Sequence, residues 1–93
     1  MVKEIKASHI LVKTENDAKV LLLRIQKGES FVKLAMEFST DSSAKRGGDL
    51  GWFGRGRMVR NFENVAFALE KGQVSQPVKT EFGWHLIRVT DKR

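Results

Sequence analysis

The sequence contains no cysteine, a single proline and no long hydrophobic run. The lack of cysteine excludes disulfides, thiolate catalysis and zinc–thiolate sites, and it leaves the redox compartment open. No apolar stretch approaches the roughly 20 residues of a transmembrane helix. No signal peptide precedes Lys3, although a processed or excised domain would have lost one.

A chain of 93 residues supports one hydrophobic core, burying about 60–65% of its unfolded surface. We therefore expect residues 1–93 to form one domain. The net charge of +6 disfavours basic partners and permits nucleic acid, acidic proteins or anionic surfaces. The cationic residues are spread along the whole chain, which is more typical of a solvated surface.

Apolar periodicity predicts an α+β domain. Residues 3–12 alternate as a strand, and helical spacing follows two cap candidates, Thr14 and Ser30. A third helical stripe runs from Phe62 to Leu69. Residues 39–43 are rich in capping residues, so a turn or a one-turn helix is predicted to start there. Further short elements are predicted at 49–53 (a strand), 74–78 (an extended piece) and 84–90 (a strand that forms a hairpin with the extended piece).

Both histidines lie in predicted strands, on the side shared with aliphatic residues: His9 and His85. If the two strands are neighbours, the imidazoles meet in an apolar layer, where one ring can donate to the other. The remaining N–H then needs an acceptor such as Thr80, Ser8 or Asp41. The alternative role for the pair is structural, as a polar bridge that fixes the register of two central strands.

Residues 41–62 hold five of the eight glycines, a density also typical of phosphate-binding loops and nucleic-acid-binding segments. They lack the Gly-x-x-x-x-Gly-Lys-Ser/Thr phosphate loop and the Gly-x-Ser-x-Gly elbow of hydrolases. Scattered carboxylates and two isolated histidines are weak evidence for a metal site, so we expect neither a metal nor a cofactor. Arginine–glycine pairs around Trp52 and Phe53 leave nucleic acid as an alternative partner. Asp49 interrupts that run, and Leu50 and Phe53 fit an ordered strand better.

Six segments, taken in order, identify a resemblance that covers nearly the whole chain. Together they resemble the parvulin peptidyl-prolyl cis/trans isomerases. The segments are Ala7-Ser-His-Ile-Leu-Val-Lys13, Phe38-Ser-Thr-Asp-Ser-Ser-Ala-Lys45, Gly47-Gly-Asp-Leu-Gly-Trp-Phe53, Gly56-Arg-Met58, Phe62-Glu-Asn-Val-Ala-Phe67 and Phe82-Gly-Trp-His-Leu-Ile87.

The resemblance implies a four-stranded antiparallel sheet surrounded by about four helices, with a shallow pocket for a proline ring. It implies two groups of site residues. The substrate-binding group is Leu50, Met58, Phe62 and Phe82, and the catalytic group is His9, Asp41, Thr80 and His85. Asp41 stands where some relatives have cysteine and others aspartate, which disfavours a covalent mechanism. Its alternative role is that of a helix N-cap.

The implied activity is non-covalent rotation about X–Pro bonds that assists protein folding. The connection after Lys13 is short and lacks an arginine cluster, so we expect a phosphate-independent enzyme. The expected partners are proline-containing peptides and unfolded or partly folded proteins, bound by a monomer. A whole protein would be cytoplasmic, and a domain of a secreted foldase would be extracytoplasmic. A binding or chaperone module without turnover is the alternative.

Overall fold

The computed structural model describes residues 1–93 and contains one sheet, antiparallel throughout, with strand order β2–β1–β4–β3. The predicted α+β class and four-stranded sheet are confirmed, with three α-helices and one 3₁₀ helix around it. None of the helices has both the length and the apolarity needed to cross a bilayer. In chain order the elements are β1 (Glu4–Val12), α1 (Glu15–Gln26), α2 (Phe31–Phe38), the 3₁₀ helix (Ser42–Arg46), β2 (Asp49–Gly54), α3 (Arg60–Ala68), β3 (Val78–Thr80) and β4 (Gly83–Lys92).

Three helices begin at polar residues whose side chains accept a backbone N–H. Thr14 accepts from Asp17 N at 3.0 Å, and Ser30 accepts from Lys33 N at 3.2 Å. Asp41 accepts from Ser43 N at 2.9 Å and opens the 3₁₀ helix. Each side chain satisfies a donor that has no partner within its helix. The predicted caps are confirmed.

The segment before β4 differs from its prediction. An extended piece was predicted over residues 74–78, but Val74 makes only an isolated bridge to Arg88, and β3 begins at Val78. Pro77 has no N–H for a ladder, so regular pairing starts just after it. The predicted hairpin with β4 is confirmed, with Thr80 opposite Gly83.

The helices divide the core between the two faces of the sheet. Helices α1 and α2 cover the face that carries Ile10 and Leu86, and α3 covers the face that carries Ala7 and Ile87. Successive residues of β1 therefore enter different clusters, as the alternation predicts. His9 and His85 both lie on the α3 face, where their rings contact Phe62.

The two ends of the chain pair with each other beside the central strands. Lys3 N and Glu4 N both donate to Arg93 O at 2.9 Å, and Arg93 N donates to Glu4 O at 2.9 Å. The Arg93 guanidinium also contacts the Glu4 carboxylate at 2.9 Å. The histidines lie toward the opposite end of the same strand pair.

Gly48 lets the chain after the 3₁₀ helix lie directly against β1. Its φ is +85°, and a Cβ there would stand 2.2 Å from the His9 carbonyl oxygen. Its own carbonyl accepts from His9 N at 2.9 Å. This glycine therefore sets the distance between Asp41's segment and the first histidine.

Replacing Gly48 by alanine should destabilise the fold more than the same change at Gly72. Gly72 has φ +88° and nothing within 4 Å of the position that a Cβ would occupy, so alanine there shows only the cost of placing an L-residue at positive φ. That cost is about 1–2 kcal/mol for an L-residue in the left-handed region. Gly48→Ala should cost about 1–3 kcal/mol more, because the strand must move. Urea unfolding of both variants measures the difference, and equal losses would contradict this packing argument.

Candidate active site

The two histidines face each other across the central strand pair. In the β1–β4 ladder His9 lies opposite Ile87 and Leu11 lies opposite His85, so the imidazoles are diagonal neighbours on one face. Their Nδ1 atoms are 2.9 Å apart, and the ring planes differ by 20°. Both residues are about 95% buried, at 5% and 4% exposure. The predicted adjacency of the two rings is confirmed.

A line of polar contacts runs from Phe82 to Asp41 through both rings. Phe82 N donates to Thr80 Oγ1 at 3.2 Å, and that oxygen lies 2.6 Å from His85 Nε2. At the far end, His9 Nε2 is 3.2 Å from Asp41 Oδ2. That last contact is not aligned as a hydrogen bond, so its attraction is mainly electrostatic.

One arrangement of protons suits every contact in this line. The Thr80 hydroxyl donates to His85 Nε2, His85 Nδ1–H donates to His9 Nδ1, and His9 Nε2–H faces the Asp41 carboxylate. The reverse arrangement would place a bare ring nitrogen against the carboxylate. Both rings are neutral in the favoured arrangement, so the charge of the network lies on Asp41.

The electrostatics of the site agree with this arrangement. Burial lowers the pKa of His9, although the neighbouring Asp41 partly opposes that effect. Burial, with the nearby His9, lowers the pKa of His85 to about 4. Burial alone would raise the pKa of Asp41, but its contacts with Ser43, including the hydrogen bond from Ser43 N, and with His9 outweigh burial and lower that pKa to about 2. At neutral pH the site therefore holds two neutral imidazoles beside a carboxylate.

Above the histidine pair lies an open cleft of about 330 Å³ with mostly apolar walls. Phe62 forms its floor: the ring is 3% exposed and meets both imidazoles edge-on, with centroids 5.6 and 5.2 Å away. Leu50 and Met58 are half-buried, and Phe82 is 65% exposed at the rim. The cleft is lined by His9, Leu11, Asp41, Leu50, Arg57, Met58, Val59, Phe62, Phe82 and His85.

Seven of the eight site residues inferred from the sequence line this cleft, and Thr80 contacts it through His85. Three further residues that line the cleft were not among those inferred from the sequence: Leu11, Arg57 and Val59. Leu11 lies two residues after His9 on the same strand face, and Arg57 immediately precedes Met58. Strand alternation and the Gly56-Arg-Met58 segment were therefore the available signals. Asp41 caps the 3₁₀ helix and also contacts His9, so its two alternative placements coexist.

Two other surfaces lack comparable chemistry. A cleft of about 340 Å³ between α1 and the end of α2 contains neither histidine. The aromatic residues of the glycine-rich segment are not free to stack on bases, because Phe53 is 3% exposed and the Arg93 guanidinium covers the Trp52 ring at 4.1 Å. These contacts weigh against the nucleic-acid alternative. No group of three or more His, Cys, Asp or Glu side chains is placed to hold a metal ion.

An antiparallel sheet with an imidazole pair under an apolar cleft is the arrangement that the resemblance implies for a rotamase, an enzyme class that rotates a peptide bond without breaking it. The chain belongs to the PPIC-type peptidyl-prolyl isomerase (PPIase) domain family, whose sequence model matches residues 1–93. The parvulin resemblance drawn from the sequence is thereby confirmed.

Known proteins similar to this chain include foldases and a small parvulin. It is 58% identical over 90 residues to the foldase protein PrsA of Geobacillus kaustophilus, covering 96% of this chain and 32% of that protein. The crystal structure of PrsA from Bacillus subtilis has a TM-score of 0.95 at 50% identity, covering 98% of this chain and 36% of that one. The solution structure of NmPin, the parvulin of Nitrosopumilus maritimus, has a TM-score of 0.86 at 49% identity, covering 94% and 95%. The chain thus spans about a third of the length of the curated foldases that it matches.

Proposed function

We propose that this cleft catalyses cis/trans rotation about X–Pro bonds by a non-covalent mechanism. The observation that carries the proposal is the convergence of Leu50, Met58 and Phe62 on a buried, neutral imidazole pair. Rotation has a barrier of about 18–20 kcal/mol, and uncatalysed exchange takes tens to hundreds of seconds. No bond has to break, so a site that grips the proline ring and favours the twisted amide is sufficient.

The apolar walls contribute by holding the ring and removing water. At the twisted transition state the amide loses resonance, and the proline nitrogen becomes pyramidal and basic. Excluding water strengthens each electrostatic contact that the twisted form makes. Every 1.36 kcal/mol of preference for the twisted form over the planar one gives about tenfold in rate.

The polar network sets the field beneath the rotating bond. Asp41 remains ionised at any pH of interest, since its pKa is about 2, and a carboxylate is a poor substitute for a thiol nucleophile. The ordered donors from Thr80 through His85 to His9 fix the direction of that field. We assign Asp41, His9, His85 and Thr80 to this electrostatic role, and Phe82 to the rim of the substrate site.

The structure supports turnover that does not depend on phosphate. Only Lys13 and Thr14 connect β1 to α1, so no basic loop lies there. Similarity to foldases and to a small parvulin favours peptide and partly folded protein clients, with residues 1–93 working as one unit. Similarity to segments of longer foldases favours the extracytoplasmic alternative.

A protease-free isomerisation assay on an Ala-Xaa-Pro peptide series tests the proposed function. The expected result is that the protein accelerates cis/trans exchange above the uncatalysed rate even when the residue before proline is neutral and unphosphorylated. The alternative, a binding module without turnover, predicts peptide binding with no change in exchange rate. That outcome would overturn the enzymatic proposal.

Substitutions of Asp41 separate its electrostatic role from its capping role. Asp41→Asn keeps an acceptor for Ser43 N and removes the charge beside His9, whereas Asp41→Ala removes both. We expect kcat/KM to fall about tenfold or more in both variants. The alanine variant alone should also lose about 1 kcal/mol of stability with its cap.

Two measurements decide the matter: exchange rates normalised to folded protein, and urea unfolding of each variant. Full activity in Asp41→Asn would remove the field role and leave Asp41 as a cap only.

A further inference from the structure

Arg57 is the only lysine or arginine that lines the cleft. It immediately precedes Met58, so its backbone lies about 3.8 Å, one Cα–Cα step, from a wall of the proline site. The side chain is exposed and belongs to none of the ion pairs in the structure. A charge at this place is unnecessary for gripping an apolar ring, and so it calls for another explanation.

The neighbouring arginine is already engaged, and its contacts fix the turn. Arg55 pairs with Glu63 at 3.5 Å and stacks on the Phe67 ring at 4.4 Å. The Glu63 carboxylate also accepts from Gly56 N, and its side chain is only 16% exposed. Helix α3 thus holds the turn before Arg57 in place, and the Arg57 guanidinium remains available to a ligand.

We propose that Arg57 makes the cleft selective for clients with a carboxylate side chain next to the proline. A guanidinium can bind a carboxylate through two parallel N–H···O contacts, a geometry that lysine cannot reproduce. Asp41 lines the same cleft but makes no ion pair with Arg57, because its carboxylate contacts Ser43 N and His9 instead. The inference rests on the proposed isomerase function and adds a substrate preference to it.

The test compares Glu with Gln, beside proline, in otherwise identical peptides. Two series place the residue before or after proline, and the measured quantity is the ratio of kcat/KM for Glu over Gln. We expect a ratio of about three to ten in at least one series, declining as salt screens the charge. Arg57→Gln should bring that ratio to about one, and Arg57→Lys should restore it only in part.

Arg60→Gln is the matched control, because Arg60 is an exposed arginine at the start of α3 that lies outside the cleft. It removes the same charge and should leave the ratio unchanged. An equal fall in Arg60→Gln would assign the preference to the general field of the domain and overturn the role of Arg57. A wild-type ratio at or below one in both series would also overturn it. Absence of turnover on every peptide, Gln included, would instead reject the isomerase function itself.

Discussion

Truncating Phe62 to alanine is expected to abolish isomerase activity and to weaken the fold at the same time. The ring is 3% exposed and contacts Phe53 as well as both imidazoles. Deleting such a side chain typically costs about 3–5 kcal/mol. The burial of Phe62 in the core therefore predicts a marked loss of stability as well as of activity.

Met58→Ala is the cleaner probe of the same wall. Met58 is half-buried at the edge of the α3-side core, so its truncation should leave the domain folded. Losing about 1.5–3 kcal/mol of apolar contact with the substrate's proline ring would lower kcat/KM by about 10- to 150-fold.

Met36→Ala provides the control for this change, because Met36 is 57% exposed on α2 and lies outside the cleft. Steady-state exchange rates and urea unfolding should show a loss of activity in Met58→Ala and none in Met36→Ala. Near wild-type kcat/KM in Met58→Ala would remove the apolar grip from the mechanism.

Stability is expected to fall steeply as the pH drops from about 6.5 to 4. The pKa of His85 is lowered from 6.5 to about 4 in the folded protein, mainly by burial, so the unfolded chain binds a proton in this window that the folded one does not. The contribution of the neutral His85 ring to the free energy of unfolding is complete above pH 6.5, and it is lost as the pH falls toward the pKa that His85 has in the folded protein. At about 1.36 kcal/mol for each pKa unit, this drop corresponds to about 3 kcal/mol.

His9 acts in the same direction, since burial also lowers its pKa. Asp41 contributes in a lower range, because its stabilisation is lost only as the pH falls from about 4 toward 2. Urea unfolding at intervals between pH 7 and 4 measures the slope, and His85→Gln should reduce it. A free energy of unfolding that stays constant over this range would show that the imidazoles are not buried neutral.

Much of this architecture could be predicted from local patterns and motifs. Alternation in β1 placed His9 on the apolar face, and the polar residues at 14, 30 and 41 marked three helix starts. The motif resemblance grouped seven residues that line one cleft. These features depend on short stretches of sequence, where side-chain period and capping chemistry are strong signals.

The remaining features depend on contacts between distant parts of the chain. Nothing near Gly48 in the sequence reveals that the His9 carbonyl will lie against it. The start of β3 could not be read from a three-residue strand that has no measurable period. The availability of Arg57 follows only from seeing that Glu63 engages Arg55 instead.

The pairing of Lys3 and Glu4 with Arg93 has a consequence for modular architecture. The chain enters and leaves the fold at adjacent points, an arrangement that tolerates domain insertion and circular permutation. From Glu4 to Leu11, β1 covers about 23 Å at roughly 3.3 Å per residue, so both points lie far from the cleft. A host polypeptide could therefore carry this domain as an inserted module, with the cleft on the side away from both connections.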